Sequence, residues 1–146
     1  MLGTLQFLAT FCAAIFAGAA LYITLVEHPV RLGLDTAAAM AQWAPSYQRA
    51  TLMQAPLAIA SSLAGFGAWL LDGGIVWLAA AVFIGVVVPF TFLGVMPTNK
   101  KLLALASDRA SPEARTLLER WGLLHAVRTA SSIVATVLMH WGLLGA

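Results

Sequence analysis

Trp121, His125 and Arg128 open the last long apolar stretch of the chain. Offsets of four and seven residues put an indole, an imidazole and a guanidinium on one face of a helix. An arginine inside a membrane helix costs about 2.5–3.5 kcal/mol at the bilayer centre, and less toward an edge. A chain carries that cost where the residue faces a protein interior, a water-filled cavity or a partner. This face is therefore expected to line a site. Other polar residues gather at the same depth. Glu27 and His28 close the first apolar stretch, Tyr47, Arg49 and Gln54 open the second, and Asn99 follows the third. Bundle sites are assembled in this way, from side chains on facing helices.

Each of these residues also has a structural reading. Arg128 can snorkel to an interface, and Arg49 can serve as an interfacial anchor. His125 can hydrogen-bond a backbone carbonyl or Glu27, or act as a base or ligand. Glu27 can pair with Arg49 or Arg128 and lock the bundle without chemistry. His28 precedes Pro29, which disfavours helix at the residue before it, so the first helix is expected to end there. Thr98 or Asn99 can cap a short helix over 100–107. Glu27, His28 and His125 also form a donor set suited to iron, copper or zinc. No H-x-x-x-H or E-x-x-H spacing supports it, and adjacent helical residues point about 100° apart. The primary expectation is a site without a bound metal or cofactor.

The elements that must position these residues are membrane spans. The chain has 146 residues, 61% hydrophobic and 10% charged. Its mean hydropathy is +0.89. Soluble domains average about 25% charged residues. Four apolar segments, at about 2–26, 51–71, 75–96 and 122–144, predict an all-α, integral membrane four-helix bundle in one domain over 1–146. The first is long enough, at 1.5 Å per residue, to cross a hydrocarbon core of about 30 Å. No Lys or Arg precedes Arg31, so this segment reads as a retained span rather than a signal peptide. The turn Leu71-Asp72-Gly73-Gly74 joins spans two and three as a hairpin. Ser111-Pro112-Glu113 reads as a helix start, with an N-cap, an N1 proline and an acid in the first turn. That helix should run into span four and give a short cytoplasmic helical segment before it. Pro89 reads as a kink within span three.

Four spans place all eight Lys and Arg on, or just inside, one side. The positive-inside rule makes that side cytoplasmic and turns both termini outward. Trp69, Trp77 and Trp141 fall near the outer boundary and Trp43 and Trp121 near the inner one, as an aromatic belt requires. The basic residues form no stripe interleaved with stacking aromatics, so nucleic acid is not an expected partner. The expected partners are the lipid bilayer and a small hydrophobic molecule. Ala14-x3-Gly18 is a small-xxx-small pair that can bring two copies together as a homo-oligomer. Cys12 is the sole cysteine and reads as a small core residue.

Glu27-His28-Pro29, Arg49-Ala-Thr-Leu-Met-Gln54, Pro97-Thr98-Asn99 and Trp121-x3-His125-x2-Arg128 together resemble the anthrone oxygenase-like family of small four-helix membrane proteins. The resemblance covers nearly the whole chain, in order and with matching spacing. Many bacterial members are catalogued only as a domain of unknown function, and a bacterial inner membrane is the expected location. The resemblance implies oxidation of an anthrone-type carbon by O₂ without a cofactor. Such chemistry needs a base, a cation for the enolate and an aromatic-lined cavity. His125 then is the base, with Glu27 orienting it. Arg128 or Arg49 holds the enolate oxygen, and Trp121 and Tyr47 wall the ring system. His28, Gln54 and Asn99 complete the binding site. Two other functions fit the same residues: a non-catalytic carrier for a quinone-like or lipid-like molecule, and a structural or assembly protein whose polar cluster only fixes helix register.

Overall fold

The computed structural model describes residues 1–71 and 74–145. The described residues form four long helices: α1 Leu2–Leu32, α2 Thr36–Leu70, α3 Ile75–Ser107 and α4 Pro112–Leu144. Helices α1, α3 and α4 are each long and apolar enough to cross a membrane. Consecutive helices pack side by side and α4 closes against α1, so the bundle is square in section. Asp72 and Gly73 of the expected hairpin turn lie outside the described residues.

Helix starts follow the sequence. Asp35 caps α2 by accepting from the Ala38 amide at 3.0 Å, and Ser111 caps α4 by accepting from Ala114 at 3.2 Å. The helix predicted from Ser111 does run without a break through the fourth apolar stretch. One other expectation is corrected: α1 does not end at His28. α2 begins at Thr36, well before the apolar stretch at 51.

Helix continues through His28 and Pro29 for a specific reason. Pro29 has no N–H, and its ring crowds the carbonyl four residues back. The helix absorbs this by widening one turn. Ile23–Glu27 is π-helical, and the His28 amide bonds the Ile23 carbonyl five residues back. Pro97 does the same on α3: Thr91–Val95 is π-helical, and the Met96 amide bonds the Thr91 carbonyl. Thr98 and Asn99 are therefore buried inside a continuing helix and cap nothing. Ahead of Pro89, α3 carries a one-residue turn at Val86, whose backbone keeps right-handed helical angles. Past the first widened turn, α1 reaches Leu32, and the Arg115 guanidinium takes up the carbonyls of Leu32 and Leu34 at its end.

Small side chains bring the helices close. Ala9, Ala13, Ala17 and Ala20 on α1 are buried, as are Ala64 and Ala68 on α2. Each face of the square carries a hydroxyl donating to a backbone carbonyl on the neighbouring helix. Ser61 donates to Ala9 at 2.8 Å and Ser62 to Ala81 at 3.0 Å. Ser131 donates to Phe83 at 2.7 Å and Thr129 to Ala20 at 3.2 Å. Large apolar side chains such as Phe7, Leu63, Leu93 and Val137 point outward, as a lipid-facing surface requires. Ala14 and Gly18 also lie on the exposed side of α1. The tryptophans do not form a simple outward belt. Trp43, Trp77 and Trp121 are buried and Trp141 is exposed.

The core is divided. One apolar cluster centres on Phe16, Trp77, Ile84 and Met139, the other on Trp43, Leu102, Leu118 and Trp121. On α2, Gln54 falls between the two clusters. On α4, His125, Arg128 and Thr129 occupy the same gap. The polar residues form a layer across the bundle, with apolar packing above and below.

Candidate functional site

A cavity of about 30 Å³ lies in this layer. That is room for about one water. Residues from all four helices line it: Ile23 from α1, Tyr47 and Gln54 from α2, Asn99 from α3, and Trp121, His125 and Arg128 from α4. Six of the nine residues singled out in the sequence therefore meet at one cavity. Helical spacing explains which ones. Tyr47 and Gln54 are seven residues apart and share a face of α2, whereas Arg49 is turned about 200° from Tyr47.

Arg49 is accordingly exposed and outside the cavity, apart from the other proposed binding residues that line it. His28 is buried behind the cavity wall, its ring 5.2 Å from that of Trp121. Glu27 is paired differently from either expectation. Its carboxylate accepts from Arg31 at 2.5 Å, from Gln42 at 3.0 Å and from the Ser46 hydroxyl. Neither Arg49, Arg128 nor His125 is among its partners. The reason is register. Helix continues through Pro29, so Arg31 stands four residues after Glu27 on the same face.

Arg31 is the main residue the sequence reading missed. Its guanidinium is fully buried, donates to His28 Nδ1 at 3.1 Å and lies 5.5 Å from the Trp121 ring centre. The i, i+4 spacing to Glu27 was the available signal, hidden by reading Pro29 as a helix end. Trp121 is thus surrounded by cationic and aromatic groups. The His125 ring stacks on it at 4.9 Å, and Trp43 meets it edge-on at 6.2 Å. Trp43 in turn stacks on Tyr47 at 4.6 Å.

His125 is held from behind. Its Nδ1 lies 3.1 Å from the Thr24 hydroxyl, which lies 2.8 Å from that of Thr129. Nε2 is the ring nitrogen left to meet a ligand. Arg128 Nη2 donates to Gln54 Oε1 at 3.1 Å, and its guanidinium carbon sits 5.7 Å from the Phe16 ring centre. Four buried polar atoms on cavity-lining residues have no hydrogen-bond partner within the protein: Gln54 Nε2, Asn99 Oδ1, Trp121 Nε1 and Arg128 Nε. Buried polar groups are ordinarily paired, so a cluster of orphans beside one cavity points to a ligand or water.

Arg128 also borders two further cavities, of about 80 Å³ and 170 Å³. The first is walled by Phe16, Ala55, Val88 and Phe92, the second by Val86, Phe90 and Val127. Ligand pockets usually measure about 300–1,000 Å³, so none of the three alone holds a large molecule. The Arg128 side chain is the partition they share. Among the described residues, no three His, Cys, Asp or Glu side chains are grouped to hold a metal ion, and Glu27, His28 and His125 are not drawn into one set.

Fold and cavity together define a helical-bundle protein with membrane-grade helices and a polar, aromatic-walled site buried at one level. Residues 43–138 match the anthrone oxygenase family, and the chain belongs to that family. It is 40% identical over 68 residues to the anthrone oxygenase tpcL of Aspergillus fumigatus, covering 44% of this chain and 42% of that protein. It is 24% identical over 141 residues to an anthrone oxygenase of Claviceps purpurea, covering 87% of this chain and 81% of that one. The chain thus spans less than half of the first relative and most of the second. No solved structure matches it.

Proposed function

We propose that the chain is a membrane-embedded oxygenase acting on a flat, hydrophobic aromatic substrate with an acidic carbon. The observation that carries this reading is the meeting of His125, Arg128, Gln54 and Trp121 at one buried cavity with unpaired donors. His125 Nε2 removes a proton from a methylene flanked by aromatic rings and a carbonyl. Arg128 and the Gln54 amide hold the enolate oxygen that results. Trp121 and Tyr47 flank the rings. The electron-rich carbon reacts with O₂, its second hydrogen leaves, and loss of water leaves a carbonyl. The balance is one CH₂ and one O₂ to one C=O and one H₂O, so no external reductant is needed and O₂ is the only co-substrate.

In this reading α2 also crosses the bilayer, which gives four spans with both termini on the outer side. The positions of Lys100, Lys101, Arg109, Arg115 and Arg120, between spans three and four or at the entry of α4, support that orientation. A lipid-dissolved substrate reaches Arg128 sideways, through the apolar cavities beside it.

The test is O₂ uptake by purified protein supplied with an anthrone, with the ketone product followed by absorbance. Wild-type protein consumes O₂ and forms product, and His125→Ala loses about 10²-fold or more of that rate while retaining its helical fold. Wild-type protein that binds the anthrone without turnover would instead identify a carrier. Full turnover in His125→Ala would remove that residue from the mechanism.

A further inference from the structure

We infer that Thr24 and Thr129 form a hydroxyl relay that fixes the tautomer of His125, with the proton on Nδ1 and the lone pair on Nε2. The inference rests on the reading of His125 as the base and supplies its positioning residues.

The available protons decide the direction. A threonine hydroxyl has one hydrogen to donate and two lone pairs to accept with. Thr129 Oγ1 lies 3.2 Å from the carbonyl oxygens of both Ala20 and His125, and carbonyls can only accept. The Thr129 hydrogen is therefore directed to a carbonyl. With that hydrogen on a carbonyl, its 2.8 Å contact with Thr24 Oγ1 is filled by the Thr24 hydrogen, and Thr129 can only accept at its 3.5 Å contact with His125 Nδ1. Thr24 has none left for its 3.1 Å contact with His125 Nδ1, so the imidazole supplies that one. The donors run in one direction: Nδ1–H to Thr24, Thr24 to Thr129, Thr129 to the backbone. The opposite direction takes the Thr129 hydrogen from both carbonyls. In a neutral imidazole with Nδ1 protonated, Nε2 is the basic nitrogen.

The placement of the relay has structural causes. Thr129 follows His125 by one turn of α4, on the same buried face. Thr24 is the second residue of the widened turn Ile23–Glu27 on α1, so Pro29 sets the local geometry that brings it to the ring. The relay also bridges α1 and α4 at the level of the cavity. It ends on neutral carbonyls, where many histidine bases are backed by a carboxylate. The nearest carboxylate on α1, Glu27, is committed to Arg31, Gln42 and Ser46.

The experiment is ¹⁵N NMR of the full chain labelled in its three histidines and held in detergent micelles. The His125 signals are assigned by their loss in His125→Gln. The expected wild-type spectrum has a protonated Nδ1 and an unprotonated Nε2 at neutral pH. Thr24→Val keeps the shape and removes the acceptor, so the ring redistributes between tautomers. In the same variant kcat falls about tenfold to a hundredfold while KM stays near its wild-type value. Thr24→Ser restores both the spectrum and kcat, which a purely steric role would not achieve. A wild-type ring protonated on Nε2, or a Thr24→Val ring with the wild-type spectrum, overturns the relay. Turnover retained in His125→Ala, alongside a wild-type spectrum with Nδ1 protonated, would sink the base and leave the relay standing, so the two failures are distinguishable. Should Thr24→Val not fold, the wild-type spectrum and Thr24→Ser still decide the matter.

Discussion

Arg128 on α4 reaches across the diagonal of the bundle to donate to Gln54 Oε1 on α2, at 3.1 Å. These two helices otherwise touch little, because each packs mainly against α1 and α3. The bond crosses the polar layer at the level of the three cavities that Arg128 borders. A ligand large enough to fill more than one of them must displace this side chain. Arg128 is thus both the proposed holder of an anionic oxygen and the partition in its way.

Gln54→Leu frees Arg128 from its partner and removes a donor from the cavity. Loss of a hydrogen bond to a charged group costs about 1.5–3 kcal/mol. Binding of an anthrone, measured by quenching of tryptophan emission, should weaken accordingly, by about one to two orders of magnitude. Unchanged affinity would mean that Gln54 does not face the ligand.

The two arginines that the sequence left as alternatives separate cleanly. Arg49 is exposed and lies outside the three cavities that Arg128 borders. Arg128→Ala should abolish most O₂ uptake, and Arg49→Ala should leave it unchanged. The reverse pattern would relocate the site to the outer face of α2.

A side chain at Gly122 has no room. A Cβ there would run into the His28 imidazole, itself packed on Trp121. Overpacking of this kind costs about 1–3 kcal/mol, so Gly122→Ala should lower the Tm of the detergent-solubilised protein by several degrees. Gly18→Ala is the matched control. Nothing lies within 4 Å of the added atom, and alanine is the better helix former by about 1 kcal/mol. Its Tm should stay level or rise.

Glu27 and Arg31 behave as a pair. The Arg31 side chain is 1% exposed and that of Glu27 is 21% exposed. Glu27→Ala strands a buried cation and should cost about 3 kcal/mol, whereas Glu27→Ala with Arg31→Met should recover much of that loss. Thermal unfolding of the two variants in the same detergent makes the comparison. Equal stability of the single and double variants would show that Gln42 and Ser46 suffice without the ion pair.

Close approach of α2 and α3 depends on Gly85. A Cβ at this position would sit 2.6 Å from Ser62 Oγ. Gly85→Ala should destabilise, and Ser62→Ala in the same chain should restore part of the loss. Ser62→Ala alone removes one interhelical hydroxyl bond, a change of about 0.6 kcal/mol. Independent, additive effects in a double-mutant cycle would contradict the packing described.

Much of this protein follows from one-dimensional pattern. Helical periodicity alone puts Trp121, His125 and Arg128 on one face, and the scarcity of charge dictates that such a face be buried. Ser111-Pro112 starts its helix where capping chemistry requires. The family follows from motifs and their spacing. Partner choice does not. Glu27 had three plausible cations or rings to meet, and the decision for Arg31 turned on a helix continuing through Pro29, by a widened turn that depends on packing around it. The same widened turn brings Thr24 to His125 across about one hundred residues of chain, a proximity with no sequence signal. Local rules fix which face of each helix is polar, because they depend on neighbours a turn away. Which atom of that face meets which on another helix depends on the rotation and depth of every helix at once, and only the packed bundle sets those.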